Sequence, residues 1–474
     1  MDPEAFAEHL MHPVGRGVAP AGAHAGAAGG ALCGDLIRIS VAVDGDRVTG
    51  AGFDASGCGA ATAAGSAAVA LLDGAHVLDA ARIGPGTIAA ELGGLSPGKL
   101  HAADLAADAL HSALGAAVRA GAALPPSARR TVVAMSGGVD SAVAALLVAR
   151  AGREAVGLTV ELWRDPENDA EASCCSASAV RAARALAHGL GMPHLTLDLR
   201  PEFRAGVVDP WLAEHRAGLT PNPCVRCNGG VRLDAMLDHA GRLGAADLAT
   251  GHYARTSADG LLRAAADPAK DQSYMLCGLA PATVARLRFP LGELTKPEVR
   301  ALAAEAELPV ASKADSQDLC FLAGTGRAAF LARHGGLTER PGDIVDAGGR
   351  VVGRHAGHHG FTVGQRKGIG VAAAEPLYVL ATDAGANTVT VGTREELATD
   401  RVRVRHATLH RPGEEVDAVK LRYRAPAVAC RVAAQRGGGV ELELADPVTG
   451  PAPGQTACLL RGDVVVGWGT IAAA

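Results

Sequence analysis

Residues 134–141 read A-M-S-G-G-V-D-S. The small and apolar residues 131–134 lead into this stretch as a short strand. The alanine- and leucine-rich run 142–150 leaves it as a helix. Ser136, Gly137 and Gly138 fall at the turn between them, where two glycines let the backbone approach a ligand with no Cβ in the way. The N–H groups that open the helix favour an anion at that point. Ser136 and Ser141 add hydroxyls, and Asp140 is of the type that holds a magnesium ion beside a polyphosphate. The stretch is not a Walker loop, and it lacks the third glycine of the dinucleotide fingerprint. A Gly-Gly turn between strand and helix is often only a tight connection. Hydroxyls on both sides and an Asp inside turn the reading to phosphate binding.

Downstream, the same alternation continues. Strands are expected at 154–162, 194–199 and 246–250, with helices at 142–151, 178–190 and 202–216. Such a pattern predicts a parallel sheet covered by helices, with ligands at the carboxyl ends of the strands. Ser136-Gly137-Gly138 lies at one such end and Gly251-His252-Tyr253 at another. Between them sits T-P-N-P-C-V-R-C-N, residues 220–228, whose prolines and asparagines predict an irregular loop. Cys224 and Cys227 have the spacing of half a zinc site, but the second half is absent. The later thiol in a comparable context is Cys320, in S-Q-D-L-C-F. Three thiols fit either a persulfide or redox pair, or a three-cysteine iron–sulfur cluster with one open iron.

At 474 residues the chain has room for about three domains. Glycine is abundant (61) and aromatics are few (3%), so the cores are expected to be built from Ala, Val and Leu. Net charge is −5 and unevenly spread: residues 1–125 carry six Lys/Arg against twelve Asp/Glu. Residues 401–436 hold nine basic and three acidic residues, a local basic strip. The acidic start carries no secretory signal, and residues 55–72 are too rich in Gly, Ser and Thr for a membrane span. Ten cysteines in so long a chain read as thiols kept for chemistry or metal in a reducing cytoplasm, with no membrane partner.

In the N-terminal segment, 13–30 shows almost no periodicity and is expected to be a loosely packed lead. Residues 36–43 and 48–53 read as a hairpin across Asp44-Gly45-Asp46, followed by helices at 60–72, 86–90 and 102–119. The breaker L-P-P-S at 124–127 closes this α+β unit. After Gly335-Gly336 helical patterning stops. Short strands are expected at 343–345, 351–352, 378–381, 388–391, 402–408, 419–423, 428–432, 440–444 and 464–470, enough for a small β domain and a β-barrel. Arg401, Arg403, Arg405, Arg422 and Arg424 would then stand on strand faces, as solvated charges or as phosphate contacts. Gly364-Gln365-Arg366-Lys367 reads as a polar loop of the same kind. Cys277, Cys430 and Cys458 have apolar neighbours and are expected in the core. The adjacent Cys174 and Cys175 are unassigned.

Two resemblances sharpen these readings. Cys33-Gly34-Asp35, Gly57-Cys58-Gly59 and His101 resemble the iron–sulfur scaffold family of IscU and the N-terminal domain of NifU. Where that family has its third cysteine, directly after the His, this chain has Ala102. The remaining Cys33, Asp35, Cys58 and His101 suit zinc, a labile cluster, or a docking domain that binds nothing. From about residue 130 onward, S-G-G-V-D-S, N-P-C-V-R-C-N, T-G-H-Y-A-R, K-D-Q-S-Y, F-P-L-G-E-L-T-K-P-E-V-R, S-Q-D-L-C-F and T-V-G-Q-R-K-G-I-G resemble, in order, the tRNA-specific 2-thiouridylases.

That second resemblance implies a PP-loop ATPase fold of the adenine nucleotide alpha hydrolase type, magnesium-ATP, and 2-thiolation of the wobble uridine of a subset of tRNAs. It implies that Ala134, Met135, Ser136, Gly137, Gly138, Val139, Asp140 and Ser141, with Val160 and Gly251, bind ATP. Asn222, Pro223 and Cys224 would lie against the target base. Cys227 matches the nucleophile and Cys320 the cysteine that carries a persulfide. His252, Lys270, Asp271, Gln272, Arg422, Tyr423, Arg424 and Gln455 match positions that touch tRNA. Many members have Asp where this chain has Cys224, which gives weight to a [4Fe-4S] cluster on Cys224, Cys227 and Cys320. The sulfur donor would be a cysteine desulfurase or a relay protein.

The expected architecture is therefore multidomain. It comprises an IscU/NifU-like α+β domain (1–125), a PP-loop α/β domain with a parallel sheet (129–335), a small β domain (336–398) and a C-terminal β-barrel (399–474). Two other functions are weighed. A sulfur or iron–sulfur carrier scaffold fused to a PP-loop ATPase with another acceptor is disfavoured by Ala102. A synthetase that adenylates a small molecule, as argininosuccinate and GMP synthetases do, leaves the three thiols and the basic strands without a purpose.

Overall fold

The computed structural model describes residues 3–29, 34–165, 176–314 and 319–473. Cys33, Cys174, Cys175 and the Ser316-Gln317-Asp318 part of one motif lie outside the described residues. The chain forms two compact units. One comprises Met1–Arg200, Ala235–His252 and Arg286–Phe321; the other comprises Pro201–Asp234, Tyr253–Ala285 and Leu322–Ala474.

In the first unit, the N-terminal segment forms a three-stranded antiparallel sheet of His24–Gly29, Leu36–Asp44 and Arg47–Ser56. The expected hairpin is present, with Asp44 opposite Arg47 and Gly45 at φ 59°. The expected loose lead is corrected: His24–Gly29 pairs along its whole length with Leu36–Val41. Its sequence, H-A-G-A-A-G, hides the strand because the residues are small, and smallness is what the packing needs. A Cβ on Gly26 would stand 2.2 Å from the carbonyl oxygen of Ala109, on the helix Leu100–Gly121.

That helix is buried around most of its circumference, because it is covered on two sides. One side takes the N-terminal sheet. The other meets the strand His194–Asp198 so closely that a Cβ on Gly115 would stand 1.9 Å from the carbonyl of Thr196. Asp108 on the same helix accepts hydrogen bonds from Arg181 at 2.7 Å and Arg184 at 2.9 Å, both on the helix Ala177–Gly189. The side chain of Arg184 is only 2% exposed. The N-terminal segment is therefore seated on the sheet that follows it.

That sheet has five strands in the order Leu287–Arg288, Ala245–Ala249, Ser127–Ala134, Glu154–Glu161, His194–Asp198, and every pairing is parallel. The expected strands are all present; the two-residue edge strand Leu287–Arg288 is too short to show as a pattern. Its register is pinned at one end by buried Asp247, which accepts from Thr131 at 2.6 Å, Arg288 at 2.7 Å and Arg153 at 3.1 Å.

The second unit holds a four-stranded sheet and a barrel. The sheet runs Val351–His355, Gly342–Val345, Thr388–Gly392, Tyr378–Asp383, around Ile344, Ile369, Val379, Val389 and Val391. The barrel runs Ala398–Leu409, Gly439–Thr449, Val428–Arg436, Ala418–Lys420, Thr456–Arg461, Val464–Ile471, and the last strand closes on the first. Closure removes the free edges of the sheet. A hairpin of Arg255–Thr256 and Leu262–Arg263 joins it through Arg263 opposite Val464.

Several expectations change in this unit. Thr456–Arg461 is a strand beyond those expected. Residues 421–425 form a turn, so Arg422, Tyr423 and Arg424 are not on a strand face. On the basic strand, Arg401 pairs with Glu441 at 3.2 Å, and the neighbouring Arg431 pairs with Glu443. Much of that basic strip is thus matched by acidic residues across the sheet. The expected helix at 202–216 is three pieces: Arg200–Phe203, a π turn over Arg204–Val208, and Asp209–Arg216.

Candidate active site

The phosphate loop stands at the carboxyl end of the strand Ser127–Ala134, as its sequence requires. Its helix, Val139–Arg150, begins three residues earlier than expected, so Asp140 and Ser141 lie in the first turn. Gly137 takes φ 68°, in the region glycine tolerates, and a Cβ there would stand 2.7 Å from the carbonyl of Ala179. Gly138 meets nothing closer than the Ser136 hydroxyl at 3.6 Å, which leaves space above the loop. The Ser141 hydroxyl accepts from the Ser136 N–H at 3.1 Å and donates to the Gly138 carbonyl at 3.0 Å, so it shapes the loop from within.

Gly251 is required where it stands: a Cβ would lie 2.7 Å from the Ser141 nitrogen and 2.8 Å from the Asp140 carbonyl carbon. His252 follows, its ring nitrogen 2.9 Å from the Thr250 hydroxyl. Val160, buried, stands one residue before the end of the strand Glu154–Glu161. Two residues that sequence reasoning did not single out also reach this loop. Lys296 Nζ donates to Asp140 Oδ1 at 2.6 Å, and Lys313 Nζ donates to the Gly137 carbonyl at 2.9 Å. Both come more than 150 residues after the loop, but the T-K-P-E of 295–298 carries a visible helix-start signal. Cys320 belongs to this unit and is half-buried.

In the second unit the C-x-x-C segment is a short helix, Pro223–Cys227, and not the irregular loop expected. Asn222 and Pro223 are its start signals. The Asn222 Oδ1 accepts from the N–H groups of Cys224 (3.1 Å) and Val225 (3.4 Å), and proline occupies the position whose N–H would go unused. Three residues apart on one helix, the two cysteines share a face. Cys227 is buried and Cys224 half-buried. The helix is tied to its surroundings by Asn228, which donates to the Met275 carbonyl at 3.0 Å.

The expected RNA-touching residues of this unit fall into two groups. Asp271 accepts from the N–H groups of Ala265 and Ser273, both at 3.1 Å, and from the Ser273 hydroxyl at 2.9 Å. Gln272 accepts from the Tyr253 N–H at 2.9 Å, and Gln455 donates to the Thr220 carbonyl at 2.8 Å. These three hold the protein's own loops in place. Tyr423 is half-buried, and burial pushes its phenol above the ordinary value; Arg424, Asp271, Lys270 and Cys224 all lie close enough to act on it electrostatically. Arg422 and Arg424 are exposed beside it. Tyr274, fully buried, donates to the Thr456 carbonyl at 2.9 Å. Cys277 and Cys458 are core residues as expected, and burial pushes the Cys277 thiol well up. Cys430 is only half-buried, its thiol raised by burial to about 11.

A third constellation lies in the N-terminal segment, where Asp35, Cys58 and His101 each place a ligand atom within 4.8 Å of the others. The Cys58 N–H and thiol donate to Asp35 at 2.7 and 3.1 Å, and His101 Nε2 lies 2.9 Å from Asp35 Oδ2. Those contacts, the Cys58 N–H foremost, hold the Asp35 carboxyl below its usual range against the cost of burial. Gly57 is obligatory, since a Cβ would fall 2.0 Å from the Asp35 carboxylate. One sulfur, one imidazole and one carboxylate suit a zinc-type ion. The structure brings together three of the four residues expected here; the fourth, Cys33, lies outside the described residues.

Together, these features define a nucleotide-binding protein of the PP-loop class with an iron–sulfur-scaffold-like domain in front. Residues 3–119 match the NifU-like N terminal domain, and residues 129–324 match the tRNA methyl transferase HUP domain. Residues 328–393 match the tRNA methyl transferase PRC-barrel domain, and residues 394–471 the aminomethyltransferase beta-barrel domain. The chain is 43% identical to the bifunctional protein NifU/MnmA of Rubrobacter xylanophilus, over 98% of this chain and 97% of that protein. It is 44% identical to the tRNA-specific 2-thiouridylase MnmA of Salinispora tropica, over 73% of this chain and 99% of that protein. The corresponding protein of Acidithiobacillus ferrooxidans is 42% identical, over 72% of this chain and 98% of its own length. The chain belongs to the family of bifunctional NifU/MnmA proteins. Among the described residues, no helix is long and apolar enough to cross a membrane.

Proposed function

We propose that this chain is a tRNA uridine 2-sulfurtransferase that activates the wobble uridine with ATP and replaces its C2 oxygen by sulfur. The observation that carries the reading is the Asn222-capped helix with two thiols on one face, one of which, Cys224, lies close enough to Tyr423 to act on it electrostatically, as do Lys270 and Arg424. A half-exposed aromatic flanked by cations suits a base and its phosphates. Relatives named tRNA-specific 2-thiouridylases point the same way.

The C2 carbonyl of uracil is a poor electrophile, so its oxygen must become a leaving group. The phosphate loop would hold ATP while that oxygen attacks the α-phosphorus and pyrophosphate departs. Asp140 fits the magnesium ion that accompanies nucleotide, because such an ion takes one or two carboxylates together with phosphate oxygens. The terminal sulfur of a persulfide on Cys320 would then attack C2 and expel AMP. The Cys227 thiolate would release the thiolated base by attacking the Cys320 sulfur, and an external thiol would reduce the resulting disulfide.

A second reading of the sulfur source rests on Cys224. A third thiol beside Cys227 fits a [4Fe-4S] cluster shared with Cys320, which would supply an open iron to carry sulfide. The experiment is mass spectrometry of tRNA nucleosides after incubation with ATP and either a cysteine desulfurase or sulfide. Formation of 2-thiouridine is expected, and Cys227→Ala should abolish it. No thiolation with either donor overturns the reading. Iron content of the Cys224/Cys227/Cys320 triple-Ala variant separates the two routes: iron lost in parallel with activity supports the cluster, and full activity of metal-free protein supports the persulfide.

A further inference from the structure

We propose that Asn228 is a positioning residue for Cys227: it latches a widened helical turn that fixes the direction in which the Cys227 thiol leaves its helix. The proposal rests on the reading of Cys227 as the nucleophile and adds the device that aims it.

The helix Pro223–Cys227 runs without a break into a π turn, Asn228–Arg232, and then into the helix Leu233–Arg242. A π turn bonds residue i to i+5, so it holds one residue more than an α turn. Each residue of an α-helix advances about 100° around the axis, so the extra one rotates everything before it by about 100°. Burial records that rotation. Beyond the turn, Leu233, Met236, Leu237 and Ala240 are the buried positions. Counted back from them at α-helical spacing, Gly229 and Arg226 would continue that face. Asn228 and Val225 are buried instead, each one residue earlier, and Arg226 is exposed. The widened turn thus keeps a guanidinium out of the interior, and it sets Cys227 about 100° from where unbroken winding would leave it.

Two features hold the turn open. The Asn228 side chain, 6% exposed, donates to the Met275 carbonyl at 3.0 Å and accepts from Arg232 at 2.8 Å. One amide therefore joins the first residue of the turn to its last, and both to the helix Ser273–Leu276. Rotated back by about 100°, Asn228 would point away from Met275, so its bonds belong to the π register alone. The second feature is the other π turn, Arg204–Val208, which packs against this one. A Cβ on Gly206 would stand 2.7 Å from Val231 Cγ2, and Val231 is β-branched and stiff within a helix.

A nucleophile works only when it is aimed, and a misplacement of about 1 Å can cost about 10²-fold in rate. Asn228 spends its amide on the protein itself, so it acts on the reaction through the orientation of Cys227.

The test uses the full chain with Asn228→Ala, Asn228→Asp and Gly206→Val, and two readouts. The first is the kinetics of 2-thiouridine formation. In Asn228→Ala, kcat should fall about 10²-fold while the KM for tRNA moves little. Asn228→Asp keeps the acceptor for Arg232 and loses the donor to Met275, and its kcat should lie between the two. The second readout is alkylation by iodoacetamide, followed by mass spectrometry. Without the latch, Cys227 should react about tenfold faster, while core Cys458 keeps its rate. Gly206→Val crowds Val231 without touching Asn228 and should reproduce both shifts; it decides the matter if Asn228→Ala misfolds. An unchanged kcat in Asn228→Ala overturns the proposal. So does equal acceleration at Cys227 and Cys458, which is general loosening. If Cys227→Ala still thiolates tRNA, the nucleophile reading fails, and the alkylation rates still judge the latch separately.

Discussion

Replacing Asp108 by Ala probes whether the N-terminal segment is a built-in part of its unit. Asp108 is the acceptor for Arg181 and Arg184, and the two arginines differ in exposure. Arg181 is 39% exposed, so losing its pairing is worth about 1 kcal/mol or less. Arg184 is 2% exposed, and stripping the partner from a buried charge costs about 3–5 kcal/mol. The loss should appear where the helix Leu100–Gly121 meets the sheet. Hydrogen exchange of the amides in His194–Asp198 is therefore the assay, and their protection should fall by about 10²–10⁴-fold, at one decade per 1.4 kcal/mol. The double variant Asp108→Leu/Arg184→Met replaces the buried pair by apolar volume and should recover most of the protection. A drop of less than tenfold in Asp108→Ala would refute the claim that this pair secures the docking. So would a double variant no better than the single one.

Three further outcomes are expected. Gly251→Ala drives a Cβ into the first turn of the phosphate-loop helix and should weaken ATP binding at least about tenfold by calorimetry, with the N-terminal sheet unaffected. Asn222→Ala removes the cap of the C-x-x-C helix, costs about 1 kcal/mol locally, and should speed alkylation of buried Cys227 more than that of core Cys458. His215 and His239 are buried, and burial pushes their imidazoles down from 6.5 to about 3 and about 4. The unfolded chain then binds protons that the native state refuses. Stability is unaffected by these groups above pH 6.5 and falls as pH drops below it. At pH 5 each should cost about 2 kcal/mol, read by denaturation at pH 7.5 and 5 and flattened in His239→Leu.

Much of this protein is legible in the chain because its signals are local. A strand, a Gly-Gly turn and an alanine-rich helix are set by neighbours in sequence, so the phosphate loop and the parallel strands could be read from periodicity and glycine alone. The N-terminal ligand group was legible through its resemblance to the iron–sulfur scaffold family, and the fold brings Asp35 and Cys58 together because they flank one hairpin. Where a reading erred, a competing local rule was at work. Asn222 and Pro223 look like loop residues, yet they are equally a helix cap and first position, and the helix wins. His24–Gly29 lacks any apolar alternation because its function in the fold is to let a helix approach.

What the sequence alone determined is the inventory: a polyphosphate turn, a C-x-x-C pair, a Cys/Asp/His set without its third cysteine, and an all-β final third. Only the tertiary structure decided which residues share a place. Lys296 and Lys313 reach the loop from the chain that follows the edge strand Leu287–Arg288, and no local pattern encodes a contact across more than 150 residues. Lys270 and Cys224 act electrostatically on Tyr423 because one compact unit holds the turn, the short helix and the loop between them. Arg401 and Arg431 look like a basic strip in the chain, and strand pairing sets Glu441 and Glu443 against them. Charge along a chain is a sequence property, whereas charge at a surface depends on which strands become neighbours.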